Sequence, residues 1–586
     1  GVEVYCTIFA LAESPRQKGL IWAGTDDGKV HITRDGCKTW TDLTANVPEL
    51  PDWGTVACIE ASPHDAGTAL LVVDNHRMDD YRPHVWKTTD FGKKWVRITD
   101  GLDPGIHCHA VREDPKKKGL LYLGTERGVM YSPDAGKTWK PLQQNLPTVP
   151  VHDLVVKNDD LVLGTHGRSI WILDDLTAVR ESTAAIKDKA VHLYTVRPVT
   201  KWYVGSGAPT GSFTRQAAGE NPASGAAIWF HLGKEPKGEV KLEVLDSKGN
   251  VIAKAKSSPG GKPGESTPEA DDDDDDDDGG GGGKKERKLE AKAGLNRFVW
   301  DLTHDGADTI PGAVVDSGSA SRGVPVAPGK YTVKLTVGPQ SLTQEIEVKP
   351  DPRVVPGKDL MTYQVLPSAG LSGPGQMVEV TDAQGNSKTY FATFGIPMPS
   401  TPGTYQMVPA GQARAIKPTD LAEQEQLALR VRDDISKLSD TVARIRALKR
   451  QIDLRQELLK DNPDAKDLLK QTKALEKKLD ELEGKLHNPK AKIAYDIFAA
   501  RGGAMLYSQF AWLLSNLTDS DGPPTKAQLE LADELEKQLN AHLAAFDKLA
   551  KEDIAKLNAA ARKLNVPELY VPPPKKNEAP KPAEKK

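Results

Sequence analysis

The sequence predicts a mainly β protein with a helical C-terminal part, and three observations carry that expectation. A strand–turn–strand unit recurs through residues 1–180, marked by the stretches TRDGCKTW (Thr33 to Trp40), TTDFGKKW (Thr88 to Trp95) and SPDAGKTW (Ser132 to Trp139). Between 190 and 350, apolar and polar residues alternate in short runs, as half-buried strands require. From residue 417 the apolar spacing lengthens to a helical period. The order expected is β-propeller blades, an immunoglobulin- or fibronectin-like β-sandwich, and an antiparallel helical hairpin or coiled-coil domain.

The repeat extends beyond its three marked turns. FALAESPRQKGLIWAGTDDG (Phe9 to Gly28) aligns with HAVREDPKKKGLLYLGTERG (His109 to Gly128), and CIEASPHDAGTALLVVDN (Cys58 to Asn75) is the same unit with a longer later loop. VHDLVVKNDDLVLGTHGRSIWILDD (Val151 to Asp175) keeps the strands and drops the marked turn. Several short strands repeating at about 40–50 residues are the mark of propeller blades. In each marked turn the aspartate (Asp35, Asp90, Asp134) is placed to accept turn amides. Gly36, Gly92 and Gly136 are free to take positive φ, and Trp40, Trp95 and Trp139 are expected to tuck beneath their own turns. These nine residues read as structural.

The Ser/Thr-x-Asp-x-Gly-x-x-Trp pattern resembles the Asp-box (BNR) repeat. Stretches such as DDYRPHVWKTTDFGKKW and GTHGRSIWILDDL are similar to the C-terminal part of bacterial sortilin/BNR-type propeller proteins, which are often labelled glycosyl hydrolases by similarity. The resemblance implies an exported protein, at the periplasm, cell surface or exterior. It also implies boxes that sit on outer hairpins, away from the axis where ligands bind. Four blades make an unusually small propeller with open edges, and the chain opens mid-pattern. Further blades are therefore expected, before Gly1 in a parent protein or from a partner chain.

Beyond the blades, residues 258–286 carry eight consecutive aspartates (Asp271 to Asp278) followed by five glycines. Mutual repulsion and glycine entropy predict a disordered loop, with weak Ca2+ binding as the alternative. Residues 351–416 are Gly/Pro-rich, a linker or a small hairpin unit. Within 417–565, Val431, Ile435, Leu438, Val442, Ile445, Leu448 and Ile452 form an a/d-like stripe, and Thr525 with Gln528 reads as a capping box. The Pro/Lys tail 566–586 is expected to be disordered.

Several functions are disfavoured at once. A formal net charge of −4 over 586 residues gives no case for nucleic acid, and no apolar run approaches the roughly 18 residues a membrane span needs. The four cysteines (Cys6, Cys37, Cys58, Cys108) have no zinc-like spacing and read as buried free thiols, with one disulfide as the alternative. Candidate ligand-binding residues are His76, Arg77, Asp79, Asp80, Tyr81 and Arg82 in the enlarged loop NHRMDDYRPHVW, and Arg168 in THGRSIW. No metal or other cofactor is expected. The arrangement that would contradict this is His107 and His109 on one strand with His152 opening the next. No sialidase set of three arginines, Tyr–Glu pair and acid can be assigned residue by residue. The leading expectation is a non-enzymatic protein that binds protein or glycan and scaffolds an assembly. The alternatives are a glycoside hydrolase completed by other blades and a surface component oligomerising through the helical hairpin.

Overall fold

The computed structural model describes residues 6–202, 221–257, 287–352, 416–498 and 502–575, with the backbone of three short strands between 364 and 391. The aspartate run and most of 351–416 lie outside these residues. The chain divides into two compact units, Gly1–Asp188 and Lys189–Lys586, described separately below.

The first unit is four consecutive antiparallel blades. Blade 1 comprises β1 (Ile8–Glu13), β2 (Ile21–Thr25), β3 (Val30–Thr33) and β4 (Thr41–Asp42). Blade 2 comprises β5 (Thr55–Ala61), β6 (Ala69–Asp74), β7 (His84–Thr88) and β8 (Val96–Arg97). Blade 3 comprises β9 (Cys108–Glu113), β10 (Leu121–Thr125), β11 (Gly128–Ser132) and β12 (Lys140–Pro141). Blade 4 has three strands, β13 (Val151–Lys157), β14 (Asp160–Thr165) and β15 (Ile170–Leu173). The first strands β1, β5, β9 and β13 lie side by side, so they are the innermost, and each blade meets the next through a shared apolar layer.

Every innermost strand carries a β-bulge at the same place. The pairing skips between Ile8 and Ala10, between Val56 and Cys58, between Cys108 and Ala110, and between Val151 and Asp153. The bulged residues are therefore Phe9, Ala57, His109 and His152. The register also explains the packing. Ile8 is equivalent to Val56, Cys108 and Val151, and Leu11 to Ile59, Val111 and Leu154; in blades 2–4 these residues are buried against the preceding blade. In blade 1, Ile8 is 60% and Leu11 67% exposed. On the opposite face, Val30, Val85 and Val129 are buried against the following blade, whereas their blade 4 counterpart Ile170 is 70% exposed.

The box turns hold as hydrogen-bonded units. Asp35 accepts from the Lys38 and Thr39 amides (both 3.0 Å), Asp90 from Lys94 N (2.9 Å) and Asp134 from Thr138 N (2.9 Å), each with a Thr or Ser hydroxyl as a further donor. Hydrogen bonds from the Thr39 side chain and backbone hold the Asp35 carboxyl down at about 2.

Two expectations about the boxes are corrected. Gly36 is not the box glycine: its amide donates to Gly19 O, as Phe91 N does to Gly67 O and Ala135 N to Gly119 O. Cys37 (φ +70) thus stands where Gly92 (φ +77) and Gly136 (φ +91) stand. The box tryptophans also pack on the preceding blade rather than under their own turns. Trp139 Nε1 donates to Ile98 O (2.7 Å) and Trp95 meets Trp22 edge to face at 5.9 Å. Among the described residues no such neighbour covers blade 1, and Trp40 is 41% exposed. The cysteines are all free, but Cys6 and Cys37 are exposed.

Blade 4 is closed by a short helix, α1 (Thr177–Glu181). Its Arg180 Nε reaches both oxygens of the fully buried Asp114 (3.1 and 2.9 Å), and its guanidinium also pairs with Asp159. Tyr122 OH donates to the same Asp114 (3.0 Å). α2 (Ala184–Lys187) ends the unit.

In the second unit two sheets face each other across one core. One is β16 (Val191–Leu193), β18 (Ala226–Leu232) and β22 (Gly294–Trp300). The other has six strands, ordered β17 (Val199–Thr200), β24 (Gln340–Lys349), β23 (Gly329–Val337), β19 (Val240–Leu245), β20 (Val251–Lys256) and β21 (Arg287–Lys288). Alternate residues Ala226, Ile228, Phe230 and Leu232 enter the core with Val240, Leu242 and Val244, as the period-2 pattern requires.

The helices are α3 (Pro418–Leu459), α4 (Lys466–Leu486), α5 (Ala494–Phe498), α6 (Leu506–Thr518), α7 (Lys526–Lys548) and α8 (Ala555–Lys563). The Val431–Ile452 stripe of α3 is buried throughout. α4, α6 and α7 all pack on α3, so the hairpin is part of a larger bundle. Thr525 and Gln528 form the capping box (2.8 and 3.2 Å). The loop after β22 sends Ala307, Ile310, Ala320 and Val324 into the same core, and Ile310 N donates to Tyr507 OH (3.3 Å). Sandwich and bundle are therefore one compact unit. Residues 566–575, expected in a disordered tail, run along the bundle instead: Leu569 is buried, and Gln451 bonds both backbone groups of Tyr570 (2.8 and 2.9 Å).

Candidate functional site

The densest gathering of chemistry in the first unit is a row of imidazoles at one end of the innermost strands. His76 stacks on His107 (ring centroids 4.7 Å), His107 meets His109 (5.0 Å), His109 meets His152 (4.3 Å) and His152 stacks on His166 (4.8 Å). The bulges build this row. A bulge re-aims a side chain and bends its strand, and blades 3 and 4 put histidine at that position.

Carboxylates join from the adjacent strand ends. Asp74 (end of β6), Glu126 (after β10) and His166 (after β14) occupy one repeated position: Asp74 pairs with Thr55, Glu126 N donates to His107 O (3.1 Å) and His166 N to Pro150 O (2.9 Å), each two residues before a bulge. His109 Nε2 lies 3.0 Å from Glu126 Oε2, while its Nδ1 faces Asp74 Oδ2 at 4.0 Å. His107 Nε2 lies 3.4 Å from Glu126 Oε2. Asp74 accepts from the His76 backbone (3.1 Å) and ring (2.7 Å). Two triads have the donor atoms and spacing to hold a metal ion, Asp74–His107–His109 and His109–Glu126–His152, with donor atoms within 4.8 Å of one another in each.

The electrostatics favour ligand-ready protonation states. Burial pushes the His109 imidazole below its ordinary range, against the opposing Glu126 hydrogen bond. Burial and then His166 do the same to His152. Burial would raise the Asp74 carboxyl, but hydrogen bonds from His76 outweigh it and the net shift is downward. Neutral imidazole beside ionised carboxylate is the donor set that binds borderline divalent metals.

The residues singled out from sequence divide in three. His76, His107, His109 and His152 come together, with Tyr81 flanking His107 (6.1 Å). Asp80 and Arg82 are spent on each other (2.8 Å twice), and Asp80 also binds the buried His84 (2.8 Å). Arg77, Asp79 and Arg168 are exposed and outside the row, although Arg168 O accepts from Trp171 Nε1 (2.8 Å). Asp74, Glu126 and His166 were not singled out. The only signal for them was their common place after the second strand, in VVDN, GTER and GTHG.

A second polar group crosses the inner strands nearby. Arg112 on β9 reaches Asp153 on β13 (2.7 Å) and Glu60 on β5 (3.8 Å). Burial lifts the Glu60 carboxyl to about 7 in spite of Arg112.

No family model matches the chain. It is 27% identical over 133 residues to the oligoxyloglucan-reducing end-specific xyloglucanase of Emericella nidulans, a match covering 22% of this chain and 16% of that protein's length. Solved structures similar to it include the GH74 xyloglucanase from Xanthomonas campestris (13% identity, 64% of this chain and 58% of that one, TM-score 0.24). They also include YCF48 bound to D1 peptide (21% identity, 28% and 51%, TM-score 0.23). At such scores the overlap adds nothing to the strand topology, on which the blade assignment rests. No helix among the described residues is long and apolar enough to cross a membrane.

Proposed function

We propose that this chain is an exported, non-enzymatic binding and scaffolding protein whose four blades are completed by further blades of the same construction. One observation carries the reading. The exposed apolar residues of blade 1 (Ile8, Leu11) and of blade 4 (Ile170) are the two halves of a single interface, formed three times within the chain. Each such side chain is worth about 1.5–3 kcal/mol on full burial. In a preparation of this chain alone, a second copy supplies the complement head to tail. Two four-blade copies would then close a ring of eight, within the usual range of propellers. Cys37 adds a constraint, because the blade covering it must be smaller at the position of Leu43 and Ile98, which meet Gly92 and Gly136. The sandwich fits an immunoglobulin-like spacer: Tyr331 OH reaches back to Ala327 O (2.6 Å), with its ring against Trp300 (5.6 Å). Export rests on the Asp-box resemblance, and a protein or glycan ligand on the exposed end of the inner strands.

Thiol alkylation at Cys37 tests the docking reading. Its rate should fall as the chain is concentrated to about 100 µM, and Leu11→Lys or Ile170→Lys should each restore the dilute rate with circular dichroism unchanged. A rate independent of concentration and of both substitutions would refute it.

A second reading, glycoside hydrolase, is favoured by Glu60, a carboxyl poised near neutrality beside Asp153 across Arg112 and within reach of an acid's role. The xyloglucanase relative points the same way. Release of reducing ends from xyloglucan oligosaccharides, abolished by Glu60→Gln, would establish it. No release from the assembled protein would remove it.

A further inference from the structure

We infer that His109, Glu126 and His152 form a binding site for one divalent transition-metal ion of the zinc class, with a coordination position left open to the exterior. The site does not depend on the docking reading, because all three residues lie within blades 3 and 4.

Three independent features converge on it. The bulge recurs in all four innermost strands, yet its residue is histidine only in the adjacent blades 3 and 4, which brings the rings to 4.3 Å. The equivalent of Glu126 in every blade is Asp, Glu or His (Asp26, Asp74, Glu126, His166), so a potential ligand follows each second strand. The donor atoms of His109, Glu126 and His152 already lie within 4.8 Å of one another. With metal–ligand bonds of about 2.0–2.2 Å, a contraction of roughly 1 Å completes the triad. Glu126 and His152 have the room to make it, since the Glu126 side chain is 41% exposed and His152 is exposed.

The neighbouring triad is the weaker choice. Asp74 is committed to His76 through two hydrogen bonds, and it faces His109 from the Nδ1 side, opposite the Nε2 that meets Glu126. That is where a carboxylate orients a ligating histidine rather than binding the ion itself. Two histidines and one carboxylate leave open positions, and His166, stacked on His152, stands beside them.

Zinc titration of the untagged full chain, stripped with chelator and followed by calorimetry, tests the site. Cobalt(II) absorption reports the coordination. One ion per chain should bind, with a visible Co(II) spectrum of low-coordinate nitrogen and oxygen ligation. His152→Ala and Glu126→Gln should each weaken binding more than about 100-fold, beyond the usual second-sphere effect, and His31→Ala, on β3 of blade 1 and outside both triads, should leave it unchanged. Both site variants change exposed or half-exposed side chains, and unchanged circular dichroism without metal confirms that they fold. Absence of saturable binding would overturn the inference. So would binding that survives both substitutions, which would place the ion elsewhere.

Discussion

The box turns make a prediction that separates close approach from backbone strain. A Cβ added at Gly136 would sit 2.8 Å from Ile98 Cβ and 2.7 Å from its Cδ1, at φ +91. Positive φ costs a non-glycine residue about 1–2 kcal/mol, and overpacking a rigid neighbour adds about 1–3. Alanine also stiffens the unfolded chain by about 0.4–1 kcal/mol, so Gly136→Ala should cost about 1–4.6 kcal/mol net. Gly36 also has positive φ (+70), but a Cβ there meets nothing within 4 Å, so Gly36→Ala should cost only the strain less the same unfolded-chain term, about 0–1.6 kcal/mol. Cys37→Gly should run the other way. It relieves the strain at φ +70 but makes the unfolded chain more flexible by about 0.4–1 kcal/mol, for a net gain of about 0–1.6 kcal/mol. Hydrogen exchange of peptides from blades 1 to 3 reads the local opening free energy of each. Equal losses for Gly36→Ala and Gly136→Ala, or a loss for Cys37→Gly, would refute the claim that the box faces the preceding blade.

Arg180→Met should destabilise blades 3 and 4 by about 3–5 kcal/mol by leaving the Asp114 carboxylate buried without its partner; denaturant unfolding of the variant would show it. His109 and His152 titrate below their unfolded value. The stability they contribute is present above about pH 6.5 and lost as pH falls through their folded values. Comparing thermal unfolding between pH 7.5 and 5, His152→Ala should therefore lose less midpoint on acidification than the unsubstituted chain. Glu60 is shifted the other way, to about 7, so its contribution is present at low pH and lost as pH rises through that value. Glu60→Gln should remove this loss, which accumulates as pH rises from about 4.5 to about 7.

The blades were legible because their signals are local and repeated: the box turns, the Gly-Thr ends of second strands, and the apolar alternation. The helical stripe of Val431–Ile452 was legible for the same reason. The site was only half legible. His107, His109 and His152 show as histidines on inner strands, but a bulge shifts which face a residue takes, and no sequence period announces one. Asp74 and Glu126 reach the row through strand pairing to other parts of their own blades, so their spacing from the histidines carries no signal. Gly36 misled because two consecutive residues in the box take positive φ, and a glycine at the first resembles a glycine at the second. Trp95 and Trp139 misled because their packing partners belong to the preceding blade. The strap at 566–575 was hidden because its proline-rich composition is that of a free tail, while what holds it down is supplied by other elements: Leu569 enters the bundle core, and Gln451, Arg444, Arg455 and Asn558 bond its backbone.

Sedimentation velocity of the full chain over a range of concentrations tests most directly whether four blades are part of a larger ring. A concentration-dependent species of twice the 63.5 kDa chain mass is expected, lost on Leu11→Lys and on Ile170→Lys. A single monomeric boundary at every concentration, unchanged by either substitution, would contradict it.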